Sequence, residues 1–563
     1  MLFYIKVTAK GENMKVVISC LNSKYVHASL SPWCLLAGVR EFSETAPHCI
    51  VMESTINGDT EAFARKIIDE KPDVIAFSCY IWNITKTLEV CRIIKSNYAC
   101  RIVLGGPEAA YRPKDILEKY DYIDFVLSGE GEWCFPEFLD NLNGNLSAVA
   151  GLTYRKDNSV FSNPEKEYQE TPPSPYLDEF FVSLDGRISY IETARGCPYR
   201  CAFCLSGRCS PLRFFDIERV KRDIIRLAKS GTQTVKFVDR TFNADAQRAD
   251  EILAFIKENY GSEIPSGVCF HFEIAGDILR ESTLEILSSM PGGAVQLEIG
   301  VQSLNEETLR RINRRADTNK LIENVRKLIS FGNMHVHIDL IAGLTGEDIN
   351  SFENGFNTAY FLKAHMLQLG FLKLLHGVDM RENKEKYPCE FSDEPPYEVT
   401  STPWLSGDEL TMLKGCEDAL DRLYNSGRFL LTLDYLTDEV GFEPFYVFNS
   451  FGNYVNGSKM RLTDYAQALF DFFSDKCDKE ILREKIVCDL LCCSSSVQIP
   501  DALKVSDPLY KKLKKYFTEN VDKNIKIAIL YSKNQVFAVN QGKTKNLHNR
   551  YEGEYYDENG NHI

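Results

Sequence analysis

The chain has 563 residues, a formal net charge of −15, 44% hydrophobic and 26% charged residues. That length exceeds what one hydrophobic core supports, so roughly two to four domains are expected, and the composition excludes disordered and fibrous classes. The acidic surplus argues against nucleic acid as a partner, no apolar run nears the roughly 20 residues that cross a bilayer, and no secretion signal opens the chain, which together point to a cytoplasmic protein with no membrane association.

Residues 1–13 carry no clear structural signal, and Met14, which opens the first strand-like run, is a candidate for the true start. Short β-branched runs then alternate with helical stretches: 16–19, 49–52, 74–78, 102–104 and 123–127 read as strands, and 59–70 and 84–96 as crossover helices. This predicts a doubly wound parallel-sheet domain over 14–145. Ligands of such sheets sit beyond the carboxyl ends of the strands, which puts 21–27, 79–82, Gly105-Gly106-Pro107 and Ser128-Gly129-Glu130-Gly131-Glu132 on one rim. A hairpin over 151–161 and the stiff Thr171-Pro172-Pro173-Ser174-Pro175 are expected in a linker, 146–187. From 188 the alternation resumes, with strands near 189–192, 234–238, 268–273, 295–300, 335–341 and 366–369, an incomplete (β/α)6 barrel over 188–375. After a break at Glu394-Pro395-Pro396-Tyr397, a mainly helical C-terminal domain is predicted over 390–545. Its helices fall at 406–424, 460–473 and 478–493, a strand pair at 525–531 and 535–540 closes it, and the polar tail from Asn546 is expected to be poorly ordered.

Eighteen cysteines in a chain without a secretion signal are expected to stay reduced, so spacing matters more than number. Arg195-Gly196-Cys197-Pro198-Tyr199-Arg200-Cys201-Ala202-Phe203-Cys204 directly follows the first barrel strand, where parallel barrels build their sites. Three thiolates at this spacing ligate three irons of a [4Fe-4S] cubane and leave the fourth iron open, a position that suits the amino and carboxylate groups of S-adenosylmethionine (SAM). A structural zinc would take four protein ligands, and a loop with Gly, Pro and two Arg makes a poor core. Cys197, Cys201 and Cys204 are therefore the expected metal ligands, with Cys209 a bystander. Cys488, Cys492 and Cys493, with Cys477 eleven residues before the first of them, read as helix packing rather than a second cluster, since adjacent Cys492 and Cys493 point to different faces.

On this loop the chain resembles the radical SAM superfamily, and the resemblance runs across 188–375. Leu297-Glu298-Ile299-Gly300-Val301-Gln302-Ser303-Leu304-Asn305-Glu306-Glu307-Thr308-Leu309 is similar to a stretch of oxygen-independent coproporphyrinogen oxidases and methylthiotransferases, and Asp339-Leu340-Ile341-Ala342-Gly343-Leu344 resembles their next strand. The resemblance implies reductive cleavage of SAM, hence an electron donor such as a flavodoxin or ferredoxin. It also implies Phe203 beside the adenine, Glu273 for the SAM amino group, Arg314 for its carboxylate, and Gln302 with Asp339 for the ribose hydroxyls. These groups suit those roles as donors and acceptors. By itself Arg314, among Arg310, Arg311 and Arg315, reads equally as a solvated helix charge, whereas acids at barrel strand ends are costly without a partner.

Val235-Lys236-Phe237-Val238-Asp239-Arg240-Thr241-Phe242 resembles a strand-end motif of the subgroup with a cobalamin domain; Arg240 stands where a second acid often follows, and Asp239 is a candidate for the active-site rim. The first domain resembles that cobalamin-binding domain through Val103-Leu104-Gly105-Gly106-Pro107-Glu108 and Asp124-Phe125-Val126-Leu127-Ser128-Gly129-Glu130-Gly131-Glu132. Gly105 and Gly106 let backbone approach a flat macrocycle, or equally form a tight strand-to-helix turn. The D-x-H-x-x-G signature for a cobalt ligand is absent and the lone rim histidine, His27, reads as packing, so the residues leave cobalamin binding open. The expected protein is a radical SAM enzyme acting on an unknown small molecule or peptide, with methyl transfer through cobalamin as one route. The alternatives are a non-catalytic cobalamin or iron–sulfur sensor or scaffold, and tRNA methylthiolation. No basic RNA-binding appendage is present, and Lys511, Lys512, Lys514 and Lys515 read as a solvated helix face.

Overall fold

A computed structural model of the chain describes residues 3–6, 14–184, 186–208, 211–493, 498–505, 508–546 and 550–563. It divides into two compact units, the first of residues 1–296, 312–315 and 373–399, the second of 297–311, 316–372 and 400–563.

The first unit opens with strands β1 (Phe3–Lys6), β2 (Lys15–Asn22), β3 (His48–Thr55), β4 (Val74–Ser78), β5 (Arg101–Gly105), β6 (Phe125–Leu127), β7 (Leu152–Lys156) and β8 (Ser159–Ser162). They form one sheet in the order β1-β3-β2-β4-β5-β6-β7-β8, parallel from β3 to β6. Every residue of β4 is buried, as a strand covered on both faces requires. Val17, Ile50, Ile75, Phe77, Ile102 and Leu104 pack with the helix residues Phe63, Ile67, Val90 and Ile94. The helix Thr60–Asp69 starts where the Asp59 carboxylate accepts the Ala62 N–H.

Two expectations need correction here. Phe3–Lys6 is an antiparallel strand on β3, not a segment without a role, and it pairs the sheet edge that β3 would leave open. The hairpin β7–β8 extends the same sheet antiparallel to β6 instead of lying in a linker. Leu152 and Tyr154 are buried, apolar surface that a linker would leave in water.

The first unit continues through β9 (Ser189–Ile191), the two-residue strands β10 (Ala194–Arg195) and β11 (Arg213–Phe214), β12 (Thr234–Phe237) and β13 (Cys269–Ile274). β12 lies between β9 and β13, parallel to both. The crossover helices Ile217–Ala228 and Ala246–Asn259 begin at Asp216 and Asp245, each accepting an N–H of its own first turn.

The second unit holds β14 (Val295–Gln302) from its third residue on, with β15 (His335–Ala342) and β16 (Met366–Phe371), in the order β14-β15-β16. The six predicted barrel strands are thus present, and helices Thr318–Ser330 and Ile349–Tyr360 continue the alternation. Beyond them lie the helices Gly407–Leu420, Pro444–Val455, Leu462–Phe473 and Lys479–Cys493, then the antiparallel strands Ile525–Leu530 and Gln535–Asn540. Cys488, Cys492 and Cys493 are buried on the last of these helices as packing residues, while Cys209 lies outside the described residues. The tail is a third correction: Gly553–Tyr556 adds a strand to Gln535–Asn540, and buried Arg550 sits 2.7 Å from Asp489. Its polar look hides side chains whose partners lie far away in sequence. Among the described residues no helix is long and apolar enough to cross a membrane.

Candidate functional site

The cysteine loop starts at β10 and ends at β11, which form a two-stranded sheet of their own. Their short ladder, Ala194 opposite Phe214 and Arg195 opposite Arg213, closes its base. Gly196 takes a φ of +94° immediately after β10, a turn into Cys197 that a side chain would strain. Further along, Ala202 N–H donates to the Ile312 carbonyl at 2.8 Å, Met380 N–H to the Ala202 carbonyl at 3.0 Å, and Asn313 Nδ2 to the Arg200 carbonyl at 2.7 Å. The loop backbone is thus tied to its surroundings at Arg200 and Ala202.

Cys197, Cys201 and Cys204 are free thiols; Cys201 is buried and the other two are half-buried. Burial pushes the Cys201 thiol up, Arg314 draws it back, and Cys204 and Cys197 raise it again, so the three sulfurs act on one another. Arg314 is half-buried off the end of the helix Glu306–Arg311, its Nη1 3.9 Å from Cys201 Sγ, whereas Arg310, Arg311 and Arg315 are exposed. Three convergent thiols with a guanidinium against one of them suit an anionic thiolate-ligated cluster. Phe203, between Ala202 and Cys204, is half-buried.

Behind the loop, Asp239 is buried and its carboxylate accepts Thr193 N–H at 2.7 Å, Ala194 N–H at 3.1 Å and the Thr193 hydroxyl. Burial raises its pKa to about 6 against those bonds. It holds the backbone entering β10. Glu273, on β13, lies 3.8 Å from Lys236 of neighbouring β12.

Sequence reasoning missed the strongest ionic feature of this unit. Arg195 reaches Glu130 Oε2 at 2.5 Å, Glu132 Oε1 at 2.8 Å and Glu192 Oε2 at 2.7 Å, and Arg213 also meets Glu130 at 2.7 Å. Burial alone would push Glu132 up, but Arg195 beside it holds the carboxyl below the usual range. The 128–132 segment, which runs into the first turn of the helix Gly131–Asn141, thus binds the base of the cysteine loop. The 21–27 loop is likewise engaged: Ile188 N–H donates to the Val26 carbonyl at 2.8 Å, and His27 Nδ1 lies 2.6 Å from the Tyr190 hydroxyl, a packing role.

The other two rim loops differ. Gly106 has a φ of +86°, and a Cβ there would lie 2.6 Å from the Cys79 carbonyl oxygen, so a tight turn accounts for it; at Gly105 a Cβ would meet only the Leu127 carbonyl, at 3.6 Å. Glu108 of the same motif is buried, accepting the Tyr397 hydroxyl at 2.7 Å. Tyr397 marked only a break in the sequence. On the 79–82 loop, Tyr80 and Trp82 stack at 4.5 Å, with Trp82 47% exposed.

In the second unit, Gln302 ends β14 at a φ of +68°, a left-handed conformation uncommon outside glycine. The next residue, Ser303, donates its hydroxyl to buried Glu347 at 2.5 Å, and burial pushes Glu347 up to about 7. Asp339 Oδ1 lies 2.9 Å from His337 Nε2, and one ligand-type atom each of Glu298, His337 and Asp339 falls within 4.8 Å of the others. Glu298 and His337 were not among the predicted site residues. The period-2 alternation could have found them, because Glu298 shares a strand face with Gln302 and His337 with Asp339.

Three family models match successive stretches: B12 binding domain over 18–139, Radical SAM superfamily over 191–358, and Protein of unknown function (DUF4080) over 385–559. The 2-(S-pantetheinyl)-carbapenam-3-carboxylate methyltransferase of Streptantibioticus cattleyicolor is 28% identical over 67% of this chain and 60% of its own length. The cobalamin-dependent radical SAM methyltransferase TokK of Streptomyces tokunonensis is 29% identical over 51% of the chain and 45% of its own length, and the hopanoid C-3 methylase of Methylococcus capsulatus is 27% identical over 50% and 55%. The chain thus spans about half to three-fifths of these curated relatives. Among solved structures, the methyltransferase TsrM of Kitasatospora setae, with cobalamin and [4Fe-4S] cluster bound, superimposes with a TM-score of 0.57 at 15% identity, covering 71% of this chain and 81% of TsrM. The cobalamin-dependent SAM radical enzyme OxsB does so with a TM-score of 0.58 at 17% identity, covering 84% and 78%. These two establish the fold. Both the spacing of the three cysteines and the order of the matched models lead to one conclusion: the chain carries a B12-binding domain, then a radical SAM domain, then a DUF4080 domain.

Proposed function

We propose that this protein is a radical SAM enzyme that cleaves SAM at a [4Fe-4S] cluster held by Cys197, Cys201 and Cys204, and that it transfers a methyl group by way of cobalamin. The observation that carries the reading is the convergence of three free thiols, one of them against Arg314, on a loop tied to its surroundings at Arg200 and Ala202. A thiolate-ligated cluster with an open iron supplies one-electron reduction to a bound sulfonium. The chain's own residues bind and orient. In the first unit, Glu273 accepts the SAM amino group, Arg314 takes its carboxylate and Phe203 lies beside the adenine. On β14 and β15 of the second unit, Gln302 and Asp339 carry donor and acceptor groups of the kind that suit ribose hydroxyls. Methyl transfer draws support from the names of the relatives and from the matched B12-binding domain. For the corrinoid, Gly105 and Gly106 offer close backbone, and the exposed Trp82 ring offers a flat apolar face. Electrons come from a small redox protein such as a flavodoxin or ferredoxin, and the substrate is a small molecule or peptide.

The test is anaerobic purification followed by iron and sulfide analysis and absorption spectra with and without hydroxocobalamin. Dithionite-reduced protein given SAM should then release methionine and 5′-deoxyadenosine. Iron without SAM cleavage would make the protein a binder or sensor; no iron would refute the reading.

A further inference from the structure

Two arginines bracket β9, Arg187 buried and Arg195 half-buried, and both meet carboxylates of the N-terminal sheet domain. Before the strand, Arg187 is 3% exposed, lies 2.7 Å from Glu53 Oε2 on β3, and donates to the Tyr25 carbonyl at 3.0 Å and to the His27 carbonyl. After it, Arg195 takes Glu130 and Glu132, with Glu192 completing its shell. The acids that Arg195 grips stand in 128–132, and Arg187 donates to carbonyls of 21–27. Both loops lie at the carboxyl ends of parallel strands, where a doubly wound sheet receives its ligand. Arg195 is also two residues from Cys197, separated from it only by the left-handed Gly196. Glu130 takes a second guanidinium, Arg213, from the opposite side of the β10–β11 ladder, so both legs of the cysteine loop end on one rim carboxylate. A fold that needed only to bury Arg195 would be served by Glu192, three residues away on the same segment. Reaching for two rim acids ties the cysteine loop to that rim.

From this juxtaposition we propose that Arg195 is a positioning residue that couples the two cofactor sites. Through Glu130 and Glu132 it makes the 128–132 rim loop and the 196–204 cysteine loop a single mechanical element, so that a corrinoid on the rim narrows the conformations of the loop that receives the cluster. The inference rests on the proposed function and goes beyond it. By linkage the effect is reciprocal: the cluster must favour corrinoid binding by the factor with which the corrinoid favours the cluster. Breaking one arm leaves a buried acid or guanidinium short of a partner and loosens the connection without removing a cofactor ligand.

The experiment is hydrogen exchange of peptides covering 196–204 in full-length, cluster-free protein, with and without hydroxocobalamin, comparing wild type with Glu130→Gln, Glu132→Gln and Arg195→Lys. In wild type, hydroxocobalamin should slow exchange about tenfold, a typical coupling factor. In Glu132→Gln that protection should fall several-fold while hydroxocobalamin still binds by its absorption spectrum, and Arg195→Lys should keep part of it. A residue serving stability alone would change exchange equally with and without hydroxocobalamin. Should Glu132→Gln fail to fold by circular dichroism, Glu130→Gln, which leaves Glu132 and Glu192 on Arg195, decides instead. Equal protection in wild type and variant, or bound hydroxocobalamin with no protection in wild type, overturns the coupling and leaves the functional reading standing. A wild type that binds no corrinoid overturns both, and its unchanged absorption spectrum identifies that outcome.

Discussion

Arg195 in the first unit and Arg550 in the second are alike in most respects: each is a largely buried guanidinium on a carboxylate far away in sequence. Arg550 meets Asp489 at 2.7 Å and the Gly427 carbonyl at 2.8 Å, and Asp489 also accepts Leu431 N–H, Thr432 N–H and the Thr432 hydroxyl. Every partner there is core or backbone, so that clamp fastens a tail and nothing else. Arg195 instead holds a segment that carries three thiols, against the segment that follows the carboxyl end of β6. Burial and ion pairing do not separate structure from function; what the clamped backbone carries does.

The comparison can be broken in graded steps. The largest effect belongs to the thiols: Cys201→Ala should abolish stable iron binding after anaerobic reconstitution, measured as iron per chain, with Cys197→Ala and Cys204→Ala doing the same. Next comes the second clamp. Asp489→Ala leaves Arg550 buried without its acid and should cost about 3–5 kcal/mol in urea unfolding, with wild-type iron content wherever the protein stays folded. Altered iron content in that variant would show that the two clamps are not separate in purpose.

A smaller effect is pH-dependent. Because Asp239 has a folded pKa of about 6 against 3.8 in the open chain, the folded state holds its proton more tightly. Its contribution is therefore full below the lower value and is lost as pH rises through about 6, a change of about 3 kcal/mol at most. Asp239→Asn should flatten that component, seen as a smaller difference between urea midpoints at pH 4.5 and pH 7. The smallest is Cys488→Ala, a buried thiol on a helix far along the chain from the cysteine loop. Its loss should cost about 1 kcal/mol of packing and leave iron unchanged.

Much of this was legible in sequence because it depends on neighbours along the chain. The parallel strands appear where β-branched runs alternate with amphipathic helices, and Cys197, Cys201 and Cys204 announce themselves by spacing alone. What escaped detection had distant partners. Glu130 and Glu132 fall on the rim where a doubly wound sheet receives its ligand because they follow a parallel strand, yet both grip Arg195. Tyr397 read as a break because prolines precede it, yet its hydroxyl caps Glu108. The strand Gly553–Tyr556 read as loose tail because polar residues dominate it, and its register exists only against Gln535–Asn540.

The sequence by itself determined the class of fold, the order of domains and the three thiols, since periodicity, composition and short-range spacing are properties of a chain read one residue after another. Only the tertiary structure decided which acids meet which arginines and which rim loops are bound to the barrel. An ion pair 63 residues apart in the chain, such as Arg195 with Glu132, leaves no periodic trace. It exists because folding brings two charges together where water cannot replace either.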